Sequence, residues 1–159
     1  MDYGINGKPA LVVGGSKGIG LEVAKILAAC RVAVLARTRT DIDTAVDAIR
    51  AQGGTATGIT ADVSHQDEVD DAVRQVCTEW GPPVIVVGQA KYQRPGDFGD
   101  ITDVNCYRES FELHTMSQIF LLRAVLPGMR DAGWGRLIAL IESPQVCSPK
   151  FLTCEQGSV

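Results

Sequence analysis

A glycine-rich turn carries the clearest chemical information in this 159-residue sequence. Residues 14–20 read Gly-Gly-Ser-Lys-Gly-Ile-Gly and directly follow the apolar run Ala-Leu-Val-Val at 10–13. Such a turn between a buried strand and a helix binds phosphate, because its backbone lies open to the anion and the helix N-terminus directs N–H groups at it. Gly14 permits a tight turn, Gly18 lets a pyrophosphate approach, and Gly20 lets the helix pack close to the strand. The sequence therefore predicts dinucleotide contacts at Gly14, Ser16, Lys17, Gly18, Ile19 and Gly20.

Positive charge near this turn predicts which dinucleotide binds. Lys17 lies inside the turn, Arg37 stands just beyond the second apolar run, and Arg39 is close by. Two cations at the adenosine ribose favour a 2′-phosphate, and hence NADP(H) over NAD(H). No Asp or Glu stands at that strand end to accept a hydrogen bond from a free 2′-hydroxyl. The alternative is that Lys17 and Arg37 are solvated surface charges.

Five short apolar runs alternate with stretches of helical periodicity and must position the turn. We predict strands at Leu11–Gly14, Val32–Ala36, Ala56–Ala61, Val84–Val87 and Leu137–Ile141. We predict helices at Gly18–Ala29, Asp41–Arg50 with Asp41 as its N-cap, Ser64–Trp80, and about Asp103–Asp131. Continuous apolar runs are typical of a parallel sheet covered on both faces. Residues 1–159 are thus expected to form one α/β domain, a Rossmann-like doubly wound sheet of about five strands in the order 3-2-1-4-5.

Composition excludes several classes of function. The chain is 45% hydrophobic and 21% charged, with a net charge of −4, which gives no electrostatic basis for binding nucleic acid or an anionic membrane. No apolar run approaches the ~18 residues of a membrane span, and residues 1–4 lack a signal-peptide pattern, so we expect a cytoplasmic protein. The five cysteines include no Cys-x-x-Cys pair and predict neither a metal site nor a disulfide scaffold.

Several further phrases follow the glycine turn in a fixed order: Ala61-Asp62-Val63, Arg94-Pro95-Gly96-Asp97-Phe98, the helical segment from Arg123 to Met129, and Trp134-Gly135-Arg136-Leu137-Ile138. Together they resemble the short-chain dehydrogenase/reductase family over about residues 7–149. The resemblance implies an NADP(H)-dependent oxidoreductase acting on a carbonyl/alcohol pair. It also implies that Asp62 faces the adenine with the backbone of Val63 beside it, and that Ala90 contacts the cofactor.

Departures from the family pattern cluster on the nicotinamide side. The family's Asn-Asn-Ala-Gly reads Gly-Gln-Ala-Lys at 88–91, so Lys91 is expected to crowd the nicotinamide pocket. The family's Asn-Leu-x-Gly reads His-Thr-Met-Ser at 114–117. The resemblance places the family's catalytic Ser at Glu142, or at Ser143 if the register shifts by one residue.

The family's redox pair is missing from this sequence. The same register places the catalytic Tyr at Glu155 and the Lys at Val159, and no tyrosine of the chain is followed four residues later by lysine. In the family the Tyr phenolate exchanges a proton with the carbonyl oxygen while the Ser orients that oxygen. The pattern therefore does not favour hydride transfer by the family mechanism, and it predicts a fold truncated after its fifth strand, either as a natural short form or as a fragment.

Three functions remain open, with candidate catalytic residues Glu142, Ser143, His114 and Lys91. The first is NADP(H)-linked oxidoreduction by other residues or with another subunit. The second is non-redox chemistry, with His114 and Glu142 as an acid/base pair and Lys91 stabilising an oxyanion. The third is a non-catalytic partner subunit that keeps the dinucleotide site.

The predicted long helix has more apolar side chains than one sheet-facing stripe can bury. Ile119-Phe120-Leu121-Leu122 and Ala124-Val125-Leu126 cover more than one helix face. We therefore expect a homo-oligomer, or a partner chain, bound through this helix and the segment after Ile141.

Overall fold

A parallel sheet forms the centre of the molecule. The computed structural model describes residues 3–89 and 105–140, and within them five strands pair in the order β3-β2-β1-β4-β5. The strands are β1 (Pro9–Val13), β2 (Arg31–Ala36), β3 (Thr55–Thr60), β4 (Ile85–Gly88) and β5 (Arg136–Ala139). This confirms the predicted Rossmann-like α/β fold and its strand order.

The strand register brings three strand ends to one place. Val13, which ends β1, pairs with Leu35 of β2 on one side and with Gly88 of β4 on the other. The chain leaves β1 towards β2 but reaches β4 only after crossing back over the sheet, so the connections diverge between β1 and β4. Parallel sheets bind ligands outside the carboxyl ends of their strands at such a point.

Helices cover both faces of the sheet. They are α1 (Gly18–Ile26) with a 3-10 turn at Leu27–Ala29, α2 (Arg39–Ala51), α3 (Gln66–Trp80), α4 (Asn105–Phe111), a π-helical segment at Glu112–Met116, and α5 (Ser117–Asp131). One core cluster packs α3 and α5 against the sheet, and a second packs α1 and α2 against the other face. None of these helices is long and apolar enough to cross a membrane.

The long helix is confirmed, with a π-helical segment inside it that the sequence did not predict. On α5, Leu121 and Val125 are fully buried in the core. Ile119 and Leu122 each remain 43% exposed, and Phe111 of α4 is 54% exposed. The apolar residues of this helix therefore do occupy more than one face, and only one face is covered by the sheet and α3.

Two local expectations were wrong. The edge strands are not covered on both faces: Thr55 and Thr60 at the ends of β3 are exposed, and Ile138 in β5 is 50% exposed. Edge strands have a neighbour on one side only, so less of their surface is covered than at the centre. Asp41 is not an N-cap either, because α2 begins at Arg39 with Thr38 in the capping position. Asp41 instead lies in the first turn of α2.

Candidate functional site

A cleft of about 260 Å³ opens at the carboxyl edge of the sheet, beside the glycine turn. It lies at the ends of β1, β2 and β4 and beside residues 61–63, which directly follow β3. Most of the predicted cofactor contacts meet here, although they come from three different loops. The cleft is lined by Val13, Gly14, Ser16, Lys17, Leu35, Ala36, Arg37, Thr38, Ala61, Asp62, Val63, Gln89 and Leu113.

The glycine turn is held tightly against the end of β4. Gly14 has a φ of +68°, and a Cβ there would overlap the carbonyl oxygen of Gln89. A Cβ at Gly20 would in turn overlap the carbonyl oxygen of Gly14. Gly18 has a φ of +54° but open space around it, and Ile19 is 59% exposed. The inner side of the turn is therefore filled by protein, while its outer side is open to a ligand.

The N-terminus of α1 faces this open side without an acid of its own. Lys17 occupies the N-cap position and makes no side-chain hydrogen bond there, and no acidic residue lies in the first turn. The first N–H groups of a helix have no partner within the helix and carry a partial positive charge. They can thus receive an anion such as a pyrophosphate.

The Asp62 carboxylate lines the cleft and is held by Ser64. Its Oδ1 accepts hydrogen bonds from the Ser64 backbone N–H (3.0 Å) and hydroxyl (2.7 Å). Burial alone would raise the pKa of the Asp62 carboxyl, but the two Ser64 hydrogen bonds and the charges of Arg37 and His65 together lower it below its ordinary value. The cleft thus holds a carboxylate that accepts hydrogen bonds.

The three cations near the cleft have different partners. Lys17 Nζ lies 2.7 Å from Asp41 Oδ2. Arg39 Nη2 lies 2.8 Å from Asp43 Oδ1 and donates from Nη1 to the Gly58 carbonyl, so Arg39 is held on α2 and does not line the cleft. Among these three, Arg37 alone has no carboxylate within 4.0 Å in the described part of the chain. Its guanidinium is the cation most available to an incoming anion.

Not every predicted site residue enters the cleft. His114 is half-buried in the π-helical segment and does not line the cleft, whereas its neighbour Leu113 does. Four predicted residues lie outside the described ranges: Ala90, Lys91, Glu142 and Ser143. Within residues 3–89 and 105–140, no group of three or more His, Cys, Asp or Glu side chains could hold a metal ion.

Seven of the thirteen residues that line the cleft were not predicted from the sequence, Gln89 and Leu113 among them, and neither was the contact of the Asp41 carboxylate with Lys17. Gln89 is buried, with 8% of its surface exposed, and its side-chain Oε1 lies near Gly20. Leu113, in the π-helical segment, also lines the cleft. The position of Gln89 directly after β4 was a signal that could have placed it at the carboxyl edge. Asp41 could not be found this way, because its contact with Lys17 depends on where α2 starts.

The sequence profile of the short chain dehydrogenase family matches residues 8–147. The chain belongs to this family. A short chain dehydrogenase from Pseudocercospora fijiensis is 37% identical over 139 residues, covering 86% of this chain and 45% of the relative. The D-beta-hydroxybutyrate dehydrogenase of Cupriavidus necator is 33% identical over 136 residues, covering 84% and 52%. The chain thus spans about half the length of these curated relatives.

Solved structures of the short chain dehydrogenase family match the fold. L-sorbose reductase from Gluconobacter frateurii, complexed with NADPH and L-sorbose, is 30% identical with a TM-score of 0.80, covering 87% of this chain and 54% of that chain. A variant of actinorhodin polyketide ketoreductase with NADPH is also 30% identical, with a TM-score of 0.77, covering 83% and 52%. The resemblance found in the sequence is thereby confirmed.

One departure from the family pattern has a structural counterpart. Gly88 stands at the first Asn of the family's Asn-Asn-Ala-Gly, and a Cβ at Gly88 would overlap the side-chain amide of Gln118. The Gln118 Nε2 donates to Ser117 Oγ at 3.5 Å, and its Oε1 is buried without a hydrogen-bond partner in the described part of the chain. An Asn at position 88 would require Gln118 to move. Gly88 therefore provides the space that the side-chain amide of Gln118 occupies.

Proposed function

We propose that this chain binds NADP(H) in the cleft beside the glycine turn, and that the site serves NADP(H)-linked oxidoreduction of a carbonyl/alcohol pair by residues other than the family's Tyr-Lys pair or together with another subunit. The observation that carries the proposal is the meeting of the open glycine turn with Arg37 and Asp62 in one cleft. The turn alone would suit any phosphate. Arg37, a cation at the end of β2 with no carboxylate within 4.0 Å among the described residues, adds a preference for a 2′-phosphate on the ribose.

The residues present fit the cofactor. The outer side of residues 14–20 and the N-terminus of α1 would hold the pyrophosphate, and Arg37 would hold the 2′-phosphate. The Asp62 carboxylate, ionised at neutral pH, would accept a hydrogen bond from the adenine amino group, with Val63 beside it. NADP(H), when bound, donates or accepts a hydride. The part played by the described residues is to bind and orient the dinucleotide.

The family supports this assignment at a coarser level. L-sorbose reductase and actinorhodin polyketide ketoreductase, both with this fold, were solved with NADPH. Their substrates differ from each other, so they support a nicotinamide cofactor and a reductase class without selecting a substrate for this chain.

Equilibrium titration with NADPH and NADH, followed by cofactor fluorescence, tests the proposal. We expect NADPH to bind at least about tenfold more tightly, since one charge-assisted hydrogen bond contributes roughly 1.5–3 kcal/mol. Arg39→Gln is the matched control, because it removes the same charge from a side chain that does not line the cleft. Equal affinity for both dinucleotides, or no binding of either, would refute the proposal. Binding without turnover on carbonyl substrates would instead favour a non-catalytic subunit.

A further inference from the structure

Asp41 forms an ion pair with the cation of the phosphate turn. Its Oδ2 lies 2.7 Å from Lys17 Nζ, and the two side chains are 27% and 72% exposed. Lys17 lines the cleft, while Asp41 approaches from the first turn of α2, just beyond the loop that contains Arg37. A carboxylate therefore stands beside the predicted 2′-phosphate site, bound to one of its two cations.

Asp41 lies where a negative side chain has two favourable partners. Negative side chains in the first turn of a helix are stabilised by the N–H groups and the partial positive charge there. The ammonium of Lys17 adds a second favourable partner. An incoming 2′-phosphate, with a charge of about −1.5 to −2, would have to compete with Asp41 for Lys17. It would also be repelled by the carboxylate itself.

We propose that Asp41 is a specificity-determining residue that restrains Lys17 and lowers the preference of the cleft for a 2′-phosphorylated dinucleotide. The inference rests on the proposed NADP(H) site. The two cations then contribute unequally to binding of the 2′-phosphate. Arg37 binds it directly, and Lys17 contributes less because its ammonium is paired with the Asp41 carboxylate. NADH lacks the 2′-phosphate, so its affinity depends on this pair only through the pyrophosphate and should respond less than that of NADPH.

A second acid on the same helix provides a matched control. Asp43 also carries one negative charge on α2, but its Oδ1 lies 2.8 Å from Arg39 Nη2, and neither residue lines the cleft. Replacing Asp43 by Asn changes the net charge of the protein by the same amount as replacing Asp41. A general electrostatic effect on dinucleotide binding therefore appears in both variants, and an effect specific to Asp41 comes either from its hold on Lys17 or from its direct repulsion of the 2′-phosphate.

The test measures the affinities of NADPH and NADH for wild type, Asp41→Asn and Asp43→Asn at one ionic strength. We expect Asp41→Asn to bind NADPH about three- to tenfold more tightly, as for a unit charge removed near a phosphate in a partly solvated site. Its affinity for NADH should change less than about twofold. Asp43→Asn should change the affinities for both NADPH and NADH less than about twofold. In a Lys17→Gln background the gain from Asp41→Asn should be smaller, because no ammonium is left to release.

Several results would overturn the inference. One such result is that Asp41→Asn and Asp43→Asn change the affinity for NADPH equally. Another is that Asp41→Asn weakens NADPH binding, which would mean that Asp41 orients Lys17 towards the phosphate. If Asp41→Asn fails to fold, as judged by circular dichroism, Asp41→Ser supplies the same comparison. Wild-type protein that binds NADPH tightly while the variants show no difference refutes only the role of Asp41. Wild-type protein that binds neither dinucleotide refutes the proposed function, and the role of Asp41 with it.

Discussion

Gly14→Ala tests the geometry on which the site depends. Gly14 has a φ of +68°, a conformation that costs an L-residue roughly 1–2 kcal/mol. The added Cβ would also overlap the carbonyl oxygen of Gln89, a backbone atom at the end of β4 that cannot rotate away. Overpacking of this kind costs roughly 1–3 kcal/mol. We therefore expect Gly14→Ala to lower the free energy of unfolding by about 2–5 kcal/mol.

Gly53→Ala separates the two contributions. Gly53 has a similar φ of +81°, but a Cβ there would meet nothing within 4 Å. It should therefore cost only the conformational part, about 1–2 kcal/mol. Urea denaturation followed by circular dichroism gives both values from the same linear extrapolation. Equal losses for Gly14→Ala and Gly53→Ala would show that the turn is not packed against β4 as described.

Four further outcomes are expected. Arg37→Gln should weaken NADPH binding by roughly 10- to 100-fold with little change for NADH, and titration that shows equal losses for both would contradict the 2′-phosphate assignment. Leu121→Ala, fully buried, should cost about 2–5 kcal/mol in urea denaturation, whereas Leu122→Ala at 43% exposure should cost clearly less. The pKa of the Asp62 carboxyl is lowered in the folded state, so its ionised form stabilises the protein at pH values above the unfolded pKa of about 3.9. This stabilisation is lost as the pH falls through the lower folded pKa. Asp62→Asn should therefore lose less stability on acidification than the wild type, as measured by denaturation at several pH values. The exposed side chains of Ile119 and Leu122 favour self-association. The molecular mass measured by light scattering at micromolar concentration should therefore exceed that of the monomer, and a single monomeric species would contradict this.

The sheet could be predicted from the sequence because each strand is a short apolar run between helical patterns. Right-handed crossovers then leave few possible orders for the strands. The ends of elements were less certain: β1 runs from Pro9 to Val13, while the sequence placed it two residues later at its start and one later at its end. The predicted order already places β3 and β5 at the edges, but apolar composition alone does not reveal how much of an edge strand's faces the helices leave exposed.

The site was predictable where it follows directly from a strand end. Arg37 and Asp62 each stand just past a strand, and both line the cleft. The pairing of Lys17 with Asp41 was not predictable, since it depends on α2 starting at Arg39 and on how that helix approaches the turn. The π-helical segment at Glu112–Met116 was hidden for a similar reason, because its apolar spacing differs little from that of an α-helix.

A crystal structure of the protein with NADPH would show whether the cleft holds the cofactor. We expect the pyrophosphate along residues 14–20 at the N-terminus of α1, with the 2′-phosphate within hydrogen-bonding distance of the Arg37 guanidinium. A dinucleotide bound elsewhere, or one in this cleft whose 2′-phosphate contacts neither Arg37 nor Lys17, would contradict it.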